Sequence, residues 1–277
     1  MPHLDPSWPW AAATALAILL LSPVAARCGA GFLAAALREA ALVVGLYAAW
    51  QLIGSRTHLE VAGARAHALM VLHAEQALRL PSELALQRLV TPHPLLVQIA
   101  NGYYLYGHFN PLIALLGWTW WRHRRDYPRV RLLLGLLTGA AFVMHVVPVA
   151  PPRLLPQLGF RDVALEYGQS VYGTVDQGIS GQLLAMPSLH VGWAVLVAYV
   201  AVTVSGSRWR WLVVAHPVLM TLVVTVTANH WWADGAVCAV LLALCVHGER
   251  GLRALTRPHG TRASTAPAHE PARTLTS

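Results

Sequence analysis

Residues 111–149 read PLIALLGWTWWRHRRDYPRVRLLLGLLTGAAFVMHVVPV, two long apolar runs separated by a knot of arginines. The second run, and the first taken from about residue 95, are long enough to cross roughly 30 Å of hydrocarbon. Between them Arg122, Arg124, Arg125, Arg129 and Arg131 crowd into the segment 122–131. Arginines in a short loop between two spans stay on the cytoplasmic side. The stretch therefore predicts a helical hairpin through a membrane, with its turn in the cytoplasm.

Working outward, apolar stretches of spanning length occur near 8–26, 34–53, 95–121, 131–149, 189–205, 210–228 and 231–247. They predict an all-α, polytopic membrane helical bundle of six to seven transmembrane helices. The first stretch has no positive segment before it, so it reads as a span rather than a cleaved signal peptide. Of the 277 residues, 56% are hydrophobic and only 12% charged, more apolar surface than one water-soluble core would hide. That leaves one transmembrane domain over 1–249 and a disordered, basic cytoplasmic tail over 250–277.

Alternate crossings from the arginine turn put 206–210 and the tail in the cytoplasm, and 54–94, 150–188 and the junction at Asn229 on the opposite side. In 54–94, Leu69, Leu72, Ala77, Leu80, Leu84 and Leu89 interleave with Glu75, Arg79, Glu83 and Arg88, as in helices lying along the interface. A lid over an outer site is a second use of the same pattern. The formal charge of +8 comes from 20 basic residues, all arginine, which gather at span ends. They orient a membrane protein and do not indicate nucleic acid as a partner. Cys28, Cys238 and Cys245 have no paired spacing, so neither a disulfide framework nor a zinc site follows.

Three segments on the outer side hold polar residues that an apolar chain would exclude: Ala150-Pro-Pro-Arg153, Met186-Pro-Ser-Leu-His190 and Asn229-His-Trp-Trp-Ala-Asp234. Ionisable groups at the ends of membrane spans are costly to bury, so their convergence points to a site. His230 and Asp234, four residues apart, share one face of a helix. A carboxylate accepting Nδ1–H would leave Nε2 free and basic, as a nucleophilic histidine requires; the plainer alternative is an incidental i,i+4 pair. His190 follows Pro187 and Ser188 at a helix start, where unpaired amides attract an anion. There it can serve as general acid while the Ser188 hydroxyl binds oxygens, although a lone histidine there would more often be a cap.

Arg153, stiffened by two prolines, offers a guanidinium fork to a tetrahedral anion, or snorkels at the interface. Asn229 joins it as a candidate ligand. Tyr103, Tyr104, His108 and Asn110 form a further polar patch, with lining the cavity and packing in the core evenly weighted. His145 reads as a satisfied buried histidine. Trp231 and Trp232 flank a laterally open site or anchor the chain at the interface.

At these residues the sequence resembles the type 2 phosphatidic acid phosphatase superfamily, and within it the inositolphosphotransferase-like branch that includes inositolphosphorylceramide synthases, over roughly 95–247. Pro187-Ser188-Leu189-His190 matches the second motif and His230 to Asp234 the third. The first motif departs: Val146 stands where the family has lysine, and Leu154, not proline, follows Arg153. Val223 and Val224 replace the Ser-Arg pair of the third motif. The resemblance implies a phosphohistidine on His230, oriented by Asp234, with His190 as acid for the leaving group and Arg153 on the phosphate.

No metal or cofactor is required by that chemistry. The implied partners are a lipid phosphate or diphosphate and the surrounding lipids, in the plasma membrane with the site on the extracytoplasmic side. The absent cations suggest a diester or pyrophosphate substrate, or recruitment of another group such as His108. Two alternatives keep the same residues: ionisation and cyclisation of a prenyl diphosphate on the same fold, and a non-catalytic lipid transporter. No internal repeat favours the transporter, and the missing lysine and second arginine disfavour a vanadate-dependent oxidase.

Overall fold

The computed structural model describes residues 8–56, 61–170 and 182–256. Helices α1 (Trp8–Arg27) and α2 (Gly31–Arg56) form a hairpin, followed by α3 (Val61–Ala77), α4 (Glu83–Val90), α5 (Pro94–Tyr106), α6 (Phe109–Arg122) and α7 (Tyr127–Met144). After two 3-10 turns come the short α8 (Val163–Glu166), then α9 (Leu189–Val204), α10 (Ala215–Val226) and α11 (Trp232–Thr256). Five helical stretches among the described residues are long and apolar enough to cross a membrane: Trp8–Arg27, Gly31–Leu52, Tyr127–Met144, Arg208–Val226 and Trp232–Leu255. The fold is the all-α, membrane-type bundle that the apolar runs predict.

In three places the structure departs from that expectation. The single span expected over 95–121 is two helices, broken at Gly107 and His108. Pro111 has no N–H to give a carbonyl in the preceding turn, and His108 Nδ1 lies 3.0 Å from the Tyr104 carbonyl, engaging it sideways. A Cβ on Gly107 would stand 2.5 Å from the Tyr103 carbonyl oxygen, so this tight corner takes glycine. The expected tail is helical through Thr256, because Glu249 pairs with Arg129 of α7 and with Arg253 one turn on; residues 257–277 lie outside the described residues. Helices α3 and α4 do not merely rest at an interface. Ala64, Ala68, Glu75, Glu83 and Gln87 are all buried.

The bundle core is a cluster of α6, α7, α9 and α11, with Leu133, Leu137, Leu196, Val200, Cys238 and Leu242 at its centre. Helix α9 is apolar on every side, as a helix surrounded by others must be. In the α1–α2 hairpin the buried positions are mostly small, Ala11, Ala15, Ala25, Ala34, Ala41 and Ala48, while Leu16, Leu19, Leu20 and Val43 face outward. Small residues at a crossing and large apolar ones outside suit packing in lipid, where close approach rather than hydrophobic exclusion holds helices together.

At one end of the bundle the irregular segments knit together. Val149 N donates to Leu183 O at 2.9 Å and Ala185 N to Val149 O at 3.2 Å. Ala150 N donates to Ala64 O at 3.1 Å and Arg153 N to Ala228 O at 2.9 Å. These bonds satisfy backbone that has left the helices, as burial demands. They also bring the three polar segments to one place. Beneath them α9 and α11 cross closely: a Cβ on Gly192 would stand 2.1 Å from Cys238 Sγ, and one on Gly235 would stand 3.2 Å from a Val191 methyl.

Candidate active site

His230 sits in the bend between α10 and α11, where Ala228 adopts a positive φ of 55° and the chain reverses into the bundle. Its Nδ1 lies 2.9 Å from the Ala185 carbonyl and 3.1 Å from Asp234 Oδ2. A carbonyl can only accept, so Nδ1 carries a proton, and in the neutral ring Nε2 is the nitrogen with the lone pair. That lone pair faces His190 Nδ1 at 3.4 Å. Asp234, wholly buried, uses the same oxygen to accept from Trp231 N at 2.9 Å, and its carbonyl accepts from Ser188 N at 3.0 Å. One residue therefore ties the start of α11 to the start of α9.

His190 lies in the first turn of α9 against two rings. Tyr104 stacks on it with centroids 4.4 Å apart, and His108 meets it edge-on at 4.3 Å. The break between α5 and α6 is what turns His108 inward. Ser188 is the N-cap of α9, its Oγ accepting from Val191 N at 3.4 Å, and its hydroxyl proton is not used by that cap. His145, three-hundredths exposed, lies with Nε2 3.1 Å from the Pro187 carbonyl and so buttresses the turn before Ser188.

Arg153 is buried beside this cluster. Its Nε donates to Asn229 Oδ1 at 3.0 Å, and one terminal nitrogen donates to Asp162 Oδ2 and to Gln182 Oε1, each at 2.9 Å. Asn229 in turn donates to Thr227 Oγ1 at 2.9 Å. A small cavity of about 10 Å³ opens here, lined by Asn101, Tyr104, Arg153, Asp162, Gln169 and Asn229 among others. Its polar lining joins the arginine to the tyrosine that stacks on His190.

The structure thus brings together His230, His190, Asp234, Arg153, Ser188, Asn229, Tyr104 and His108. Two members of the expected polar patch go elsewhere. Tyr103 Oη pairs with His216 Nδ1 at 2.7 Å, and Asn110 is exposed. Trp231 is no lipid anchor, being buried with Nε1 donating to Ala150 O at 3.0 Å, while the half-buried Trp232 donates from Nε1 to Pro81 O at 2.7 Å. Sequence reasoning missed Asp162, Gln182, Glu75 and Glu83. Only Asp162 left a local trace, as the N-cap of α8.

Helices of spanning length around a cluster of Arg153, His190, His230 and Asp234, all but His190 buried, define a membrane-type protein. The chain belongs to the PAP2 superfamily, which matches residues 69–247. That match begins earlier than the motifs alone suggest, and so takes in α4 and half of α3. No curated protein and no solved structure matches the chain. Membership makes it, in the general sense, a phosphatase- or phosphotransferase-type protein acting on lipid phosphates.

Proposed function

We propose that this protein transfers the phosphoryl group of a lipid phosphate or diphosphate through a phosphohistidine on His230, at the extracytoplasmic face of the plasma membrane. The observation that carries the reading is the polarity of His230: Nδ1–H is held by Ala185 O and Asp234, and Nε2 is turned to His190. In the first step the Nε2 lone pair attacks phosphorus, and the bond to the leaving oxygen breaks with its electron pair. His190 gives that oxygen a proton, and Asp234 stabilises the positive imidazole.

In the second step water or an alcohol gives its proton to His190 and attacks the phosphohistidine, and His230 departs with the N–P electron pair. Arg153 and the Ser188 hydroxyl bind the non-bridging oxygens. The 3.4 Å gap between the rings is too narrow for a phosphoryl group. Substrate binding therefore requires the two histidine rings to separate, with the phosphoryl group received beside Arg153 and Asn229.

Val146 is exposed on the outside of the bundle and Val224 is packed among Tyr104, Val191 and Met220, so neither position brings a cation to the site. This supports a place near the transferase-like branch rather than among the lysine-bearing phosphatases. The test is phosphate release by the purified protein from lipid monophosphates and prenyl diphosphates, with and without a polyol acceptor, beside His230→Ala. Loss in the variant with the wild type active supports the phosphohistidine. Full activity in the variant, or a cyclised hydrocarbon product, overturns it.

A further inference from the structure

The first-turn amides of α11 have no carbonyl partner within their own helix. The amides of Trp231, just before the helix, and of Trp232 and Ala233, its first two residues, are each met by a carboxylate, while Asp234 N turns back to Trp231 O at 3.2 Å. Trp231 N donates to Asp234 Oδ2 at 2.9 Å, Trp232 N to Glu83 Oε1 at 3.5 Å, and Ala233 N to Glu75 Oε1 at 2.7 Å. Asp234 belongs to α11 itself. Glu75 comes from the end of α3 and Glu83 from the start of α4, and the turn between them is pinned by the Trp232 indole on Pro81 O. Both glutamates are almost wholly inaccessible, at 3% and 2%.

A helix N-terminus favours negative charge, but its partial charge of about +0.5 cannot offset three buried carboxylates. Glu83 and Glu75 meet adjacent amides of one turn, those of Trp232 and Ala233, so their carboxyl groups are neighbours in one buried place. Glu75 Oε2 is buried and receives no N–H or O–H donor among the described residues. A proton held between the two side chains satisfies both facts. Among the described residues the charged neighbours that raise Glu75 are Glu83 and Asp234, both acidic. Burial first, and then these neighbours, push the Glu75 carboxyl from an ordinary 4.5 up to about 9, against the lowering effect of the Ala233 N–H. Two carboxyls in one buried site behave this way because both cannot ionise.

We infer that Glu75 and Glu83 share one proton as a buried clasp on the first turn of α11, and are positioning residues that hold His230 and Asp234 against His190. Trp232 and Ala233, whose amides the clasp grips, lie between His230 and Asp234 in the chain. Releasing the turn moves both ends of the dyad. The catalytic half of this inference rests on the reading of His230 as nucleophile; the shared proton does not.

The test compares wild type, Glu75→Gln and Glu75→Ala in detergent, by thermal unfolding followed through tryptophan fluorescence from about pH 5 to about pH 9, and by kcat and KM at neutral pH. Glutamine keeps a donor toward Glu83 and an acceptor for Ala233 N. The sign follows from a folded-state value raised above the unfolded one: the stabilisation is complete below 4.5 and is lost as pH rises toward about 9. In that window the folded chain holds a proton that the unfolded chain has released. Each pH unit then lowers the wild-type folded-to-unfolded ratio by up to about tenfold, a slope that the glutamine variant lacks.

The expected result is an unfolding temperature for Glu75→Gln that gains on wild type as pH rises, with kcat kept, while Glu75→Ala loses kcat at nearly unchanged KM. Parallel unfolding profiles for wild type and Glu75→Gln overturn the shared proton. Full kcat in Glu75→Ala overturns the positioning role. The unfolding arm needs no substrate, so a wild type inert toward every lipid phosphate counts against the phosphoryl-transfer reading alone, and the unfolding profiles still decide the clasp.

Discussion

Gly192→Ala tests whether the close crossing of α9 and α11 sets the geometry of the histidine pair. A Cβ at position 192 would stand 2.1 Å from Cys238 Sγ and 3.4 Å from its Cβ. Ordinary contact begins near 3.5 Å, so the sulfur or the helices must yield by about 1.4 Å. Cys238 is fully buried in the core of the bundle, where such overpacking costs about 1–3 kcal/mol. His190 lies two residues before Gly192, and Asp234 four residues before Cys238, so the strain acts directly on the 3.4 Å contact between His190 and His230. A misplacement of about 1 Å between reacting groups costs on the order of 100-fold in rate.

The variant is therefore expected to lose about two orders of magnitude in kcat and several degrees in unfolding temperature. Both are measured on the same detergent-purified sample, by phosphate release and by thermal unfolding. Gly192→Ala combined with Cys238→Ala removes the sulfur and leaves contacts of 3.4 Å to the Cβ at 238 and 3.5 Å to a Leu137 methyl, so it should recover most of the rate. Wild-type kcat in the single variant, or no recovery in the double, would refute the claim that this crossing positions the histidines.

Other outcomes follow from the same geometry. Asp234→Asn should lower kcat by nearer 10² than 10⁴-fold, because the Ala185 carbonyl still holds Nδ1–H and fixes the tautomer; steady-state kinetics check this. His230→Ala should abolish acid-labile phosphate labelling of the protein, whereas His190→Ala should slow turnover on substrates with poor leaving groups more than on diphosphates. Trp231→Phe, which loses the bond to Ala150 O, should lower the unfolding temperature, since it leaves a buried carbonyl without its donor.

Hydropathy was enough to locate the long apolar helices, because a span must be apolar along its length whatever it packs against. It could not reveal the break at Gly107 and His108, since a histidine facing inward and one facing lipid leave the same gap in an apolar run. The motif residues were legible for a similar reason: His190, His230, Asp234 and Arg153 are polar where a span should be apolar. Glu75 and Glu83 were illegible because an amphipathic pattern records which face is polar, not whether water or another helix's amides lie against it. Asp162 and Gln182 reach Arg153 across 9 and 29 residues of chain, a pairing no local spacing announces.

The pairing of Arg153 with Asp162 bears on which anion the site prefers. The guanidinium holds a carboxylate, 2.9 Å away and only partly exposed. Binding is then an exchange of one anion for another on the same fork. A phosphodiester, with one negative charge, gains little by replacing a carboxylate of equal charge. A monoester or diphosphate carries more charge and more acceptor oxygens, and so draws the arginine away from Asp162. Monoesters and diphosphates should accordingly show lower KM than diesters of the same lipid. Asp162→Asn, which keeps the amide oxygen as an acceptor but removes the competing charge, should lower KM for every anionic substrate and shrink the gap between the classes. Equal KM values for monoester and diester in the wild type would mean that Arg153 stays on Asp162 throughout the reaction, with the phosphoryl oxygens bound instead by Ser188 and the histidines.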